Sequence, residues 1–362
     1  MQPESHSVIS RALRSPRTVT GIVALAALAG TAVHAALSPR ISALLIRAVF
    51  TRGAQRTAAE MHPYAPATGI AELLDLDYGV PGSGASLDLF TPQAVRLDTD
   101  TTATNESDGE AAPTALPTVV WIHGGAWISG TRVDLRPYLR ILASRGYTTV
   151  GLSYPIAPEQ RYPDSLAALN DALGYLIDNA AELRIDPTRI VLAGDSAGAQ
   201  LASQLAAAVT SADYARSIQL VPALDTEQLK GVVLQCGIYD LDALSELSGI
   251  TSWGLKTALW AYLGIKDWDA TPEARAMSTI HAVTGAFTPT FISGGNGDPL
   301  TPTQSRRMAE RLKTAGVDVT ELFWPDDHNP ALGHEYQFHL DLPEARDALE
   351  QTVDFLDRVT AP

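Results

Sequence analysis

Apolar positions recur along this chain with three different periodicities. The first stretch, residues 18–37, holds 20 residues whose only ionisable side chain is His34. Twenty residues at helical rise just cross a hydrocarbon core. Arg11, Arg14 and Arg17 precede the run and Arg40 and Arg47 follow it, so flanking charge does not fix an orientation. The length predicts a membrane anchor behind a basic tail (1–17). The basic start and Val33-His34-Ala35 also fit a cleaved signal peptide, and seven alanines fit a packed cap helix. The anchor and signal readings imply a membrane-anchored or exported protein; the third leaves the cytoplasm as the alternative.

Residues 38–72 read as a helical linker or cap, with a helix over 41–56. Residues 73–90 alternate around Pro81-Gly82-Ser83-Gly84, which predicts two short strands joined by a turn. Residues 98–110 lack aromatic and branched aliphatic side chains and cannot bury much, so 98–117 is expected to be a solvated insertion. From Thr118 the pattern changes again. A continuous apolar run at 118–122 and further strand-like segments at 147–152, 189–193, 229–235, 290–293 and 319–324 alternate with helical stretches at 134–145, 164–181, 197–209, 303–314 and 344–358. Strands that are apolar on both faces, separated by helices, predict a mostly parallel central sheet covered on both sides. Reactive groups in such a sheet belong at the carboxyl ends of strands. The mixed stretch 241–284 interrupts the alternation within a unit spanning 73–362.

Charge and cysteine content narrow the chemistry. A net charge of −15 and a pI near 4.9 argue against nucleic acid, which needs a basic surface. Cys236 is the only cysteine, so an internal disulfide and a thiolate metal site are excluded, and its apolar strand context predicts a buried, inert thiol.

Gly194-Asp195-Ser196-Ala197-Gly198 matches Gly-x-Ser-x-Gly and sits between a predicted strand and a predicted helix. The chemistry asks for this pattern. A nucleophilic hydroxyl must project from a sharp turn at the sheet edge, and the flanking glycines keep side chains out of neighbouring backbone. The helix that follows turns its positive end toward developing negative charge. His123-Gly124-Gly125-Ala126-Trp127 follows another strand, and its small residues would let a substrate reach backbone N–H donors. Gly125, Ala126 and Ala197 are assigned as oxyanion donors, with Gly124 shaping the turn. His123 precedes the nucleophile and is expected to bond its own loop.

In this template the carboxylate and base follow the nucleophile in chain order. Asp298 stands after a strand in a glycine-rich loop, ahead of Asp240, Asp267 and Asp269 as the carboxylate. His334 lies among apolar and aromatic residues able to fix a ring, and is favoured as base; His328, in a polar turn, is the alternative. Together these motifs predict the α/β-hydrolase fold with a helical cap.

The same residues resemble the bacterial hormone-sensitive-lipase-like esterases. The likeness runs from about Leu73 to the C-terminus. It is carried by the His123–Trp127 loop, by Tyr154-Pro155-Ile156-Ala157-Pro158-Glu159 with Tyr162-Pro163, by the Ser196 motif, and by His334-Glu335-Tyr336-Gln337-Phe338. Ala126 departs from a third glycine. Residues 329–333 look inserted before His334, which keeps His328 open as base. The resemblance implies hydrolysis of short to medium acyl esters without a cofactor, and a cap built from 41–56 and part of 241–284. Trp253, Trp260 and Trp268 in that stretch would either wall an apolar acyl group or pack the cap. Expected partners are a small-molecule ester, no nucleic acid, and a membrane through residues 18–37; the pattern leaves oligomeric state open. An amidase, peptidase or acyltransferase would use the same machinery, and a silent hydrolase fold kept for binding is the alternative outside catalysis.

Overall fold

The structure is a computed structural model that describes residues 38–79, 85–93 and 115–362. Helix α1 (Arg40–Met61) precedes an antiparallel pair, β1 (Ile70–Asp77) and β2 (Ser86–Pro92). The chain then runs β3 (Leu116–Ile122), α2 (Arg132–Ala143), β4 (Thr148–Leu152), α3 (Asp164–Asp178), β5 (Ile185–Asp195), α4 (Ala197–Thr210), α5 (Ala212–Ser217) and β6 (Leu229–Gln235). A helical excursion follows, with α6 (Gly249–Leu263) and α7 (Pro272–Met277) between short 3-10 turns. The rest is β7 (Thr290–Gly294), α8 (Ser305–Thr314), β8 (Val319–Phe323) and α9 (Pro343–Val359).

The eight strands form one sheet in the order β1-β2-β4-β3-β5-β6-β7-β8. β2 meets β4 antiparallel, and β3 to β8 are mutually parallel. The expected α/β-hydrolase architecture is therefore present. Successive residues of a strand face opposite sides. In β3, Val120 and Ile122 pack with α3 and α4 (Leu169, Leu205), whereas Val119 and Trp121 pack with α2 and α9 (Leu139, Val353). Each such buried aliphatic side chain stabilises the fold by roughly 1.5–3 kcal/mol. This double burial explains the unbroken apolar run at 118–122.

Several bounds differ from expectation. β3 starts two residues early because Leu116 already pairs with Ile185 across an irregularity at Pro117. β5 begins at Ile185 although Asp186 makes turn-like bonds to the Thr188 N–H and hydroxyl. Of the proposed insertion, residues 98–114 lie outside the described residues, as do Pro81–Gly84 of the expected turn.

The expectation of a transmembrane helix is corrected. Among the described residues no helix is long and apolar enough to cross a membrane. α1 is the longest of them, and it carries Arg40, Arg47, Arg52, Arg56 and Glu60, charge that a hydrocarbon layer resists. Residues 18–37, on which the anchor, signal and cap-helix readings rested, lie outside the described residues.

The Arg47 side chain ties α1 to the loops at the carboxyl rim of the sheet. The Arg47 guanidinium donates to the backbone carbonyls of Ile128 and Ala157 and pairs with Glu159 at 2.6 Å. α6 joins the same rim where the Tyr162 N–H donates to the Tyr262 carbonyl, 3.0 Å. The three tryptophans of 241–284 do not form a common wall. Trp268 is buried, Trp253 is half exposed, and Trp260 lies under the Lys266 ammonium.

Candidate active site

Ser196 is the residue between β5 and α4, and its backbone pays for that position: φ is 50° and ψ is −117°, a region a non-glycine residue occupies only when the surroundings force it. The surroundings do force it. The Ser196 N–H donates to the Gln235 carbonyl at the end of β6, 2.8 Å. A Cβ on Gly198 would stand 2.0 Å from the Ile122 carbonyl oxygen, and one on Gly194 would stand 2.5 Å from the Gly198 carbonyl. Both positions therefore admit only glycine while the turn stays this tight.

The hydroxyl is met from the far end of the chain. His334 Nε2 lies 2.9 Å from Ser196 Oγ, and His334 Nδ1 lies 2.8 Å from Asp298 Oδ2. Asp298 is buried in the loop after β7, and its other oxygen accepts the Leu300 N–H at 2.9 Å. The loop carrying His334 is clamped to the Asp298 loop. The Asn296 amide donates to the His328 carbonyl and its oxygen accepts the Leu332 N–H, each at 2.9 Å. The structure thus brings together Ser196, Asp298 and His334.

His328 is elsewhere. Its Nε2 lies 2.9 Å from a Glu344 carboxylate oxygen and its ring packs on Trp324 at 4.6 Å between centroids. Asp240 pairs with Arg307. His123 bonds its own loop, Nδ1 to the Gly124 carbonyl at 2.8 Å, and stacks on Tyr154. Burial pushes the His123 imidazole down to about 4, so this ring is neutral. The opposite holds for His334. Burial works to lower it, but the Asp298 charge and hydrogen bond, with the Glu335 and Asp195 carboxyls, outweigh that and raise it to about 9.

Beside Ser196 the His123–Trp127 loop turns sharply, with positive φ at Gly125, Ala126 and Trp127. The backbone N–H groups of Gly125 and Ala126 have no acceptor among the described residues, and that of Ala197 is the first of its helix and lacks an intrahelical acceptor. The Gly124 N–H differs from these: it donates to Asp195 Oδ2 at 2.8 Å. Of the four residues expected at the oxyanion position, Gly124 alone has its amide engaged.

Two carboxyl groups in this site were given no role from sequence. Asp195 is buried, accepting from Trp121 Nε1 and the Gly124 N–H. Glu335, at φ 58°, extends to within 3.8 Å of His334 Nε2. The acidic residue inside the nucleophile motif and the one following the base were visible signals, but their meeting was not.

Cys236 lies just past β6 with φ 51°, buried, its thiol pushed well up by burial first and then by Asp298. Its sulfur lies 3.5 Å from Gln337 Oε1. Two donor sets come within 4.8 Å among themselves, Cys236 with Asp298 and His334, and Asp240 with Asp242 and His281. Both His334 nitrogens face Asp298 and Ser196, and Asp240 Oδ2 pairs with Arg307.

An eight-stranded, mostly parallel sheet with this constellation at its carboxyl rim is the α/β-hydrolase arrangement. The chain belongs to the BD-FAE family, whose model matches residues 108–312, more than half its length. The kinship with hormone-sensitive-lipase-like esterases stands with that match. The fold is shared with esterase B from Lactobacillus Rhamnosis (HN001), at TM-score 0.70 and 23% identity over 88% of this chain and 95% of that one. A Pyrobaculum calidifontis esterase matches at TM-score 0.65 and 22% identity over 89% and 95%. A bacterial heroin esterase matches at 0.64 and 22% over 87% and 91%.

Proposed function

We propose that this protein is a serine carboxylic ester hydrolase that acts through an acyl-enzyme on short to medium acyl esters. One observation carries the proposal: the unbroken hydrogen-bonded line from Ser196 Oγ through the His334 ring to Asp298. With the ring proton on Nδ1, held by Asp298, Nε2 is free to accept the serine proton. Oγ then bonds to the ester carbonyl carbon while its proton passes to Nε2. The carbonyl oxygen takes up the negative charge and lies against the N–H groups of Ala197, Gly125 and Ala126. When the intermediate collapses, the alkoxide leaves with the proton from Nε2 and the acyl group stays on Oγ. Water repeats the sequence and releases the acid.

The acyl range is supported by analogy in fold: one structure of the Lactobacillus Rhamnosis esterase B is inhibited by a C4-C4 SN3 tributyrin phosphonate. The test is a panel of p-nitrophenyl esters of increasing acyl length, run with wild type, Ser196→Ala, His334→Ala and His328→Ala, alongside labelling by a fluorophosphonate. We expect Ser196→Ala and His334→Ala to lose turnover, His328→Ala to keep most of it, and the label to reside on Ser196. Folded protein that neither labels nor turns over would instead support a binding protein on this fold. Amide hydrolysis exceeding ester hydrolysis would move the assignment to an amidase.

A further inference from the structure

Gly124 is the point on which a second arrangement of charges turns. A Cβ built on Gly124 would lie 2.3 Å from Asp195 Oδ2 and 2.8 Å from Glu335 Oε1. Two carboxyl oxygens from residues on either side of the reacting pair, one next to Ser196 and one next to His334, therefore converge on the α-carbon of the oxyanion-side loop. Two ionised carboxylates brought together at one glycine repel, and a proton held on one of them removes that repulsion. Asp195 is buried while a third of the Glu335 side chain is exposed, and among the described residues neither forms an ion pair with lysine or arginine.

We propose that Asp195 and Glu335 hold one proton between them, and that this shared proton locks three segments together: the nucleophile turn, the Gly124 loop and the loop bearing His334. The proton sits on the Asp195 carboxyl and is donated to Glu335. The pair then carries a single negative charge. The remaining lone pairs of Asp195 accept from Trp121 Nε1 and the Gly124 N–H, each at 2.8 Å. Loss of the proton to solvent, by way of the exposed side of Glu335, puts two negative charges at one point beneath the loop. Repulsion then parts Glu335 from Asp195, and with it the His334 loop from the Gly124 loop. Of the groups facing the pair, Tyr138 from α2, Tyr154 after β4, Cys236 after β6 and Asp298 carry no positive charge, and His334 relieves the repulsion only while its ring is protonated. Burial first, and then the Glu335 charge, hold the Asp195 carboxyl well above the carboxylate range. Glu335 is a positioning residue in this scheme; it acts through Asp195 and the loops, not on substrate.

The kinetic arm of the test rests on the esterase reading; the spectroscopic arm does not. Carbon-13 NMR of the side-chain carboxyls in full-length protein should show one carboxyl still protonated at neutral pH. That signal should be missing from both Asp195→Asn and Glu335→Gln, since the glutamine amide donates to Asp195 and cannot ionise. In hydrolysis of p-nitrophenyl butyrate, wild-type kcat should fall at the pH where that carboxyl titrates. Glu335→Gln should lower kcat no more than about threefold and lack this alkaline fall, while Glu335→Leu, which can neither accept nor donate, should lose kcat about tenfold or more with KM little moved. A purely packing role for Glu335 would leave the alkaline fall in place in Glu335→Gln. The proposal is overturned if every carboxyl is ionised by neutral pH, if the high-titrating signal survives Glu335→Gln, or if the alkaline fall does. A wild type that hydrolyses no ester but shows the carboxyl signal would overturn the esterase reading alone.

Discussion

Asp298→Asn isolates the part of the site that fixes which nitrogen of His334 carries the proton. Asparagine keeps the shape of aspartate, and its oxygen can still accept the Leu300 N–H now bound at 2.9 Å by Oδ1. Its amide nitrogen then takes the place of Oδ2, 2.8 Å from His334 Nδ1. Two donors cannot share that contact, so Nδ1 must give up its proton and the neutral ring carries it on Nε2. Nε2 faces Ser196 Oγ at 2.9 Å, and in that tautomer it donates where it should accept. The variant is folded but has no base for the hydroxyl. Loss of a base in this way costs about 10⁴-fold in kcat, or roughly 5.5 kcal/mol of transition-state stabilisation at about 1.4 kcal/mol per decade. The assay is kcat and KM on p-nitrophenyl butyrate, with circular dichroism and thermal melting to establish that the fold is intact. KM should stay within a few-fold, because nothing that would touch substrate has moved. A folded variant that keeps more than a tenth of wild-type kcat would refute the assignment of Asp298.

Other outcomes follow from the same geometry. With His334 raised to about 9, the ring is protonated at neutral pH and cannot accept the serine proton, so kcat/KM should climb with pH and level off near 9 in a stopped pH series. The sign for stability is the reverse: a folded pKa above the ordinary 6.5 stabilises the protein fully below about 6.5, and this contribution is lost as pH rises through 9, which melting scans across that window would register. Gly198→Ala puts a Cβ 2.0 Å from the Ile122 carbonyl oxygen, backbone against side chain with no room to yield; it should cost about 3 kcal/mol and several degrees of melting temperature, and reduce labelling of Ser196. Arg47→Ala strips donors from two carbonyls and the partner from Glu159, worth about 1.5–3 kcal/mol, and by freeing α1 should raise KM more than it lowers kcat.

What could be read before the structure was whatever local physics dictates. β6 matches its expected bounds at both ends, and every residue of it but the half-buried Lys230 is buried. The turn at Ser196 was legible because the crowding that demands glycine at 194 and 198 leaves a fixed spacing. His334 could be preferred over His328 from its apolar neighbours in sequence, and Tyr336 and Phe338 are indeed buried. The misses have physical causes too. Pro187 and the Asp186 turn disguise the start of β5, and α1 runs on to Met61 through Gly53 because its packing against α2 and α6 supplies what helix propensity does not. Ala212–Ser217 is too short to show a period. The convergence of Asp195 and Glu335 joins residues far apart in sequence, and only the closed sheet brings them to one glycine.

The spacing between nucleophile and base has a bearing on biosynthesis. A nascent chain emerging from the ribosome can complete β5 and α4, with the serine already bent outward, long before the segment carrying His334 has been made. Until β7 and β8 have joined the sheet, that hydroxyl has no partner to draw its proton and is as unreactive as any surface serine. On the proposed mechanism, synthesis from the amino end thus leaves Ser196 without its base until His334 has been made, and any product truncated before His334 remains so.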